Sequence, residues 1–142
     1  NSFGQGIAIT PIQMIAALNT LANNGRYIAP TLVEGSSPIT REVLVPQAVS
    51  DITQIMVTAV NSGEAKWAKP VGLSVAGKTG TAQIPIEGHY DPQKTIASFI
   101  GFFPAENPRF TMLVSLREPQ TSQWGSETAA PLWFGIAKQL LL

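Results

Sequence analysis

The chain has 142 residues, 44% of them hydrophobic and 13% charged, and its nine Lys and Arg are balanced by nine Asp and Glu. A formal net charge of zero excludes the basic surface that nucleic-acid binding needs, and the absence of cysteine excludes disulfides and thiol catalysis. No apolar run approaches the roughly 20 residues of a membrane span. Length and apolar content fit one globular domain or a piece of one, and a targeting or anchoring segment is expected to lie outside this sequence.

Asn1 to Ile9 is an approach punctuated by Gly4 and Gly6. Thr10, with Pro11 at the first helical position and Gln13 at the third, has the pattern of a capping box. The helix it opens carries Ile12, Ile15, Leu18, Leu21 and Ala22 at helical spacing, and Asn23-Asn24-Gly25 closes it, Gly25 being suited to the left-handed position after the cap. Tyr27 to Val33 reads as a short extended stretch broken by Pro30, and Gly35-Ser36-Ser37-Pro38 as a turn. A second helix is predicted from Pro46 to Asn61, with Val49, Ile52, Met56 and Val60 as its apolar stripe and Gly63 as its stop.

Three strands follow. The first contains residues 73–84, and the second, Ile96 to Phe103, is nearly all apolar, as a strand covered on both faces would be. After a turn at Ala105-Glu106-Asn107-Pro108, the third alternates, with Phe110, Met112, Val114 and Leu116 on one face; the last two strands form an antiparallel hairpin. A final helix is predicted with Thr128 as its cap, because Pro131 is tolerated only in a first turn, and with Trp133, Ile136, Ala137 and Leu140 along one side. Trp124 and Trp133 are expected to pack.

The chemistry sits at Lys78-Thr79-Gly80-Thr81-Ala82-Gln83. A Lys-Thr-Gly triplet on a strand edge is one of three motifs of enzymes whose serine is acylated by a β-lactam or a D-alanyl peptide. The other two, Ser-x-x-Lys and Ser-x-Asn, occur nowhere in the 142 residues. Strand alternation puts Thr79, Thr81 and Gln83 on one face and Lys78 on the other, so Lys78 must lean around the edge for its ammonium to meet the hydroxyls. A fixed cation with hydroxyl donors suits a substrate carboxylate, and a free Thr81 N–H on the edge suits a developing oxyanion. Gly80, lacking a Cβ, admits a close backbone. A solvated edge lysine that blocks unwanted pairing is the plainer reading of the triplet alone.

Residues 72 to 79 also match the phosphate-binding pattern G-x-x-x-x-G-K-[ST] letter for letter. That pattern needs a helix starting at its Lys-Thr, whereas Gly80 and Pro85 follow here, so the match is read as accidental. His89, the sole histidine, lies in Glu87-Gly88-His89-Tyr90-Asp91-Pro92, read as an exposed loop bordering the site; no second histidine or cysteine completes a zinc site. No cofactor or metal is expected.

Taken together, these residues resemble the class B penicillin-binding proteins, the peptidoglycan D,D-transpeptidases. The match is carried by Ser2-Phe3-Gly4-Gln5-Gly6-Ile7, Thr10-Pro11-Ile12-Gln13, Asn23-Asn24-Gly25 with Pro30, Ala76 through Gln83, Ala97-Ser98-Phe99-Ile100-Gly101-Phe102-Phe103-Pro104 and Ala129-Ala130-Pro131, in that order. The resemblance implies an α+β fold of the penicillin-binding/serine β-lactamase type, a five-stranded antiparallel sheet flanked by helices. Residues 1–142 would be the C-terminal portion of that single domain, supplying its third to fifth strands and closing helix.

The resemblance also implies the chemistry. A Ser-x-x-Lys serine outside this sequence attacks the penultimate D-alanine carbonyl of a stem peptide, and an amine of a neighbouring stem takes the acyl group. Lys78 and Thr81 would be the catalytic residues present. Lys78 would orient and protonate the Ser-x-Asn hydroxyl, and the Thr81 N–H would complete the oxyanion hole. Thr79, Gly80, Thr81 and Gln83 would bind substrate.

The partners implied are the peptidoglycan stem peptide, β-lactams, and either the rest of the same domain or a second copy. The setting implied is extracytoplasmic, with a membrane anchor only in the parent protein. This chain alone would be inactive. A β-lactam hydrolase or penicillin sensor shares the fold and the triplet, and a non-catalytic module that kept the groove is a third reading.

Overall fold

A computed structural model describes residues 7–140; the Ser2–Gly6 stretch of the glycine-punctuated approach lies outside them. The first helix, α1 (Pro11–Ala22), starts as expected: the Thr10 hydroxyl accepts from the Gln13 N–H, and the Gln13 side chain accepts from the Thr10 N–H at 2.8 Å. At its other end Asn24, not Gly25, takes the left-handed position directly after the cap, with φ 54°, and Gly25 follows at φ 90°. The Asn24 N–H reaches Leu21 O and the Gly25 N–H reaches Thr20 O, which satisfies two last-turn carbonyls. Gly25 is also required sterically, since a Cβ there would lie 2.3 Å from Leu44 O.

The extended stretch shrinks to β1 (Arg26–Ile28), which pairs antiparallel with a strand the sequence pattern did not announce, β2 (Thr40–Glu42). A three-residue exposed strand has no periodicity to display. The turn between them lies at Val33–Ser36, slightly ahead of the predicted one. The second helix, α2, runs Pro46–Ser62 behind a Val45 cap that has no side-chain hydrogen bond. Val49 and Val60 of its stripe are buried, whereas Ile52 is exposed. A 3-10 turn at Lys66–Ala68 follows Gly63.

The central sheet is β3 (Ala76–Ile86), β4 (His89–Phe103) and β5 (Phe110–Arg117), antiparallel in chain order. The strand continues straight through Lys78-Thr79, which removes the phosphate-loop reading. The expected loop at residues 87–92 is instead the tip of a β3–β4 hairpin, with Glu87 and Gly88 both at positive φ between the paired Ile86 and His89. The alternation there is masked by Pro85 and Pro92, which is why it reads as loop.

The third helix, α3 (Ala129–Leu140), begins directly after Thr128, but the Thr128 hydroxyl donates to Trp124 O at 2.7 Å instead of capping the helix. Its buried face is Trp133, Phe134 and Ala137; Leu140 is exposed, and Phe134 was missed. Trp133 and Phe134 pack on Phe99, with ring centroids 5.0 and 5.1 Å away, and Phe103 stacks on Phe110 at 5.3 Å. Phe110, Met112, Val114 and Leu116 border this core, as the alternation predicted. On the opposite face a smaller cluster joins Leu18 of α1 to Ala76, Phe102 and Ala105. The β4 strand is therefore sealed on the Phe99 side, while Ile96, Ser98 and Ile100 on the other side remain half-buried.

The α2 helix straddles the outer edge of β3 at the start of that strand. Its Val60 enters the aromatic core, and Met56 and Val57 pack on the Ala76 side.

Candidate functional site

The site is the part of the β3 edge that runs on from the end of α2. Register places Lys78 opposite Ile100, Gly80 opposite Ser98 and Thr81 opposite Ala97. Antiparallel pairs alternate between hydrogen-bonded and non-hydrogen-bonded types. The carbonyl of Thr95 accepts from the Glu118 N–H at 2.8 Å, so the Thr95 backbone faces β5. Its partner on β3, Gln83, is then a non-hydrogen-bonded position, and in steps of two so are Thr81 and Thr79. The N–H and C=O groups of these three residues point out of the sheet.

Lys78 leans around that edge. It projects from the face opposite Thr79 and Thr81, yet its Nζ donates to the outward Thr79 carbonyl at 2.8 Å and to Thr79 Oγ1 at 3.3 Å. The ammonium, the Thr79 hydroxyl and the outward backbone of Thr79 and Thr81 are thereby gathered on one edge. Lys78 and Thr79 also wall a hollow of about 240 Å³ against the end of α2, which Glu64 lines as well.

Thr81 is held by a residue that no sequence pattern singled out. Its Oγ1 accepts from the Gly125 N–H at 3.0 Å, across 44 residues of chain. The acceptance fixes the side chain and leaves the hydroxyl hydrogen free to donate to a ligand. The close approach expected at Gly80 comes from this same residue: a Cβ on Gly125 would lie 2.5 Å from both Gly80 O and Ser98 O. Only glycine lets the segment before α3 lie against the sheet there. Ser98 completes the set, its hydroxyl donating to Gly80 O at 3.4 Å.

Gln83 shares the Thr81 face, half-buried, and makes no side-chain hydrogen bond among the described residues. His89 is exposed at the start of β4, at the far end of the hairpin from Lys78. Among the described residues no group of three His, Cys, Asp or Glu gathers where it could hold a metal. Trp133 packs as expected, donating from Nε1 to Met112 O at 2.9 Å. Trp124 does not pack; it stands exposed beside Gly125.

A cation, two hydroxyls and outward N–H groups on one edge can bind a carboxylate and donate to an adjacent oxyanion. Gly125 and Ser98 were missed because their roles depend on register and on a loop folding back, neither of which leaves a periodic trace.

Comparison with known proteins supplies the context. The family model described as the penicillin binding protein transpeptidase domain matches residues 1–142. Stage V sporulation protein D of Bacillus subtilis (strain 168) is 34% identical over 99% of this chain and 24% of that protein. A probable peptidoglycan D,D-transpeptidase, PenA of Neisseria flavescens, is 30% identical over 93% of this chain and 34% of its own length. The crystal structure of penicillin binding protein 3 from Mycobacterium tuberculosis complexed with ampicillin superposes with a TM-score of 0.83 at 28% identity, covering 97% of this chain and 35% of that one. The chain thus spans about a quarter to a third of the curated relatives it matches. With an antiparallel sheet between helices, a Lys-Thr-Gly edge and a family model matched from first residue to last, the chain belongs to the penicillin-binding protein transpeptidase family.

Proposed function

We propose that residues 1–142 are the C-terminal portion of a single transpeptidase domain, and that the whole protein cross-links peptidoglycan stem peptides through a serine acyl-enzyme and binds β-lactams. The carrying observation is the β3 edge, where the Lys78 ammonium sits on the Thr79 hydroxyl and carbonyl, Thr81 lies two residues on along the same face, and the Thr81 N–H points outward. Lys78 supplies the positive charge and the proton relay to the Ser-x-Asn hydroxyl. The Thr81 N–H is one oxyanion donor, and the serine's own N–H is the other. Thr79, Gly80, Thr81 and Gln83 line the groove that takes the D-alanyl end.

The serine and the Ser-x-Asn come from polypeptide outside this sequence, which contains neither motif. The remainder of the domain, or a second copy, covers the free β5 edge and the half-buried face around Ile100. The protein works outside the cytoplasm, held by an anchor that is not in this sequence. That relatives such as PenA are peptidoglycan D,D-transpeptidases favours transpeptidation over β-lactam hydrolysis.

The test uses a fluorescent penicillin on the complete domain. Lys78→Ala should leave the fold intact by circular dichroism and abolish nearly all covalent labelling. The 142-residue chain alone should take no label after denaturation. Wild-type labelling of Lys78→Ala would make Lys78 a solvated edge lysine and overturn the assignment.

A further inference from the structure

Asn24 is the only asparagine of the chain followed by glycine, so no side chain shields the peptide nitrogen beyond it. In such a pair the glycine nitrogen can attack Cγ of the asparagine. A C–N bond forms and ammonia leaves. Water then opens the five-membered succinimide at either carbonyl, giving aspartate or isoaspartate. Asn107 lacks this route, since Pro108 has no N–H to lose. The structure places the pair at a joint: α1 ends there, β1 begins at Arg26, and Leu44 leads into the Val45 cap of α2.

The two residues are held differently. Asn24 is exposed, and its carboxamide has no hydrogen-bond partner among the described residues. Gly25 is buried and fixed. Its N–H donates to Thr20 O at 2.8 Å, and its carbonyl accepts from the N–H groups of Val43 at 3.0 Å and Leu44 at 3.1 Å. A Cβ there would lie 2.3 Å from Leu44 O, so the Gly25 backbone is pressed against that segment. Thr20 is itself buried, its hydroxyl donating to Ala16 O at 3.0 Å. The carbon to be attacked is thus free, while the attacking nitrogen is locked. That nitrogen must lose its proton and swing toward Cγ, and the Thr20 carbonyl holds the proton in place.

We propose that Asn24 is a site of spontaneous deamidation, closed while the end of α1 is capped and opened when Gly25 parts from Thr20 and Leu44. The product does not close the joint again. An aspartate sets a negative charge just past the C-terminus of α1, whose last turn carries no basic residue to offset it. An isoaspartate does more. The main chain then runs through the former side chain, one methylene longer, directly ahead of a residue with no space even for a Cβ. The inference does not rest on the reading of the Lys78–Thr81 edge, and either can fail alone.

The test ages the complete domain at mildly alkaline pH, folded in buffer and unfolded in urea. Peptide mapping by mass spectrometry follows amide-to-acid conversion at each asparagine of residues 1–142, and enzymatic methylation reads isoaspartate. In the unfolded chain Asn24 should convert fastest. In the folded domain it should convert at least about tenfold more slowly, because only the open fraction reacts. Backbone hydrogen exchange at Gly25 needs the same opening. The slowing should therefore match the protection of the Gly25 N–H within a factor of about three and fall well short of the protection of the β4 core amides.

The isoaspartate-bearing fraction, separated after ageing, should lose exchange protection at Gly25, Val43 and Leu44 and keep it along β4. Equal conversion rates in the folded and unfolded samples would overturn the gate. So would slowing as large as the β4 protection, since Asn24 would then open only with the whole domain. Conversion of Asn61 ahead of Asn24 in the unfolded chain, or no conversion of Asn24 in either state, would overturn the site itself. Retained protection at Val43 and Leu44 in the aged fraction would show that the joint recloses, against the inference.

Discussion

The Phe99 face of the central sheet and the outer edge of β3 lie on paired residues of adjacent strands, Phe99 opposite Thr79, yet one is closed and the other open. On the closed side Phe99, Phe103, Trp133 and Phe134 are all at 0–1% exposure, and the one polar atom among them, Trp133 Nε1, has its acceptor. On the open side the Lys78 ammonium rests only on its neighbour Thr79, and the backbone of Thr79 and Thr81 faces outward. Apolar volume decides the first region, since each side chain there gains by excluding water from the next. The second is set by unfinished hydrogen bonding, which costs little while water satisfies it and becomes binding capacity when a ligand displaces that water. The Gly125 contact joins the two regions, because the segment leading into the core helix is also what fixes Thr81.

That contrast can be broken most strongly from the core. Phe99→Ala removes the ring against which both Trp133 and Phe134 pack. It should cost about 3–5 kcal/mol, read as a lower denaturant midpoint of the complete domain, with acylation failing only in step with the unfolded fraction. A loss of acylation in the folded fraction would mean that core and edge are not separable.

From the edge the effect should appear in rate. Thr81→Ala keeps the outward N–H and removes the hydroxyl, so acylation by a carboxylate-bearing β-lactam should slow by roughly ten- to a hundredfold. It also leaves the buried Gly125 N–H without its acceptor, so a stability loss of about 1 kcal/mol should accompany the slower rate. Thr81→Ser should restore both.

The joint itself is addressed by Gly125→Ala, whose methyl would meet Gly80 O and Ser98 O at 2.5 Å. Backbone on both sides leaves no cheap relief, and a loss of about 1–3 kcal/mol in stability is expected. A parallel fall in acylation, exceeding what unfolding explains, would show that the strand has shifted at Thr81.

The smallest effect lies just ahead of β3, where Ser74 meets the turn after β4. The Ser74 hydroxyl donates to Glu106 Oε1 and, with the Glu106 backbone N–H, holds that carboxyl below its ordinary range against a smaller opposing effect of burial. A carboxyl depressed in the folded state contributes stability at neutral pH that is lost as the pH falls through its folded-state value. Ser74→Ala should raise the Glu106 titration toward that of a free glutamate in an NMR pH series and flatten the acid arm of the stability curve slightly. It should leave acylation unchanged.

Local patterns in the sequence determined a good deal of this molecule. The capping box at Thr10 and Gln13, the α2 stripe ends at Val49 and Val60 and the alternation from Phe110 to Leu116 all follow from interactions within a turn or between alternate residues of a strand. Such interactions leave a periodic trace. The Lys-Thr-Gly triplet, with the ordered motifs around it, was also enough to name the family.

Tertiary structure alone decided the rest. The β1–β2 pair, the exposure of Trp124 and the anchoring of Thr81 by Gly125 all depend on residues distant in the chain. Their meeting is set by sheet register and by which face each helix covers. No short window of sequence contains both partners of such a contact, so no window could announce it.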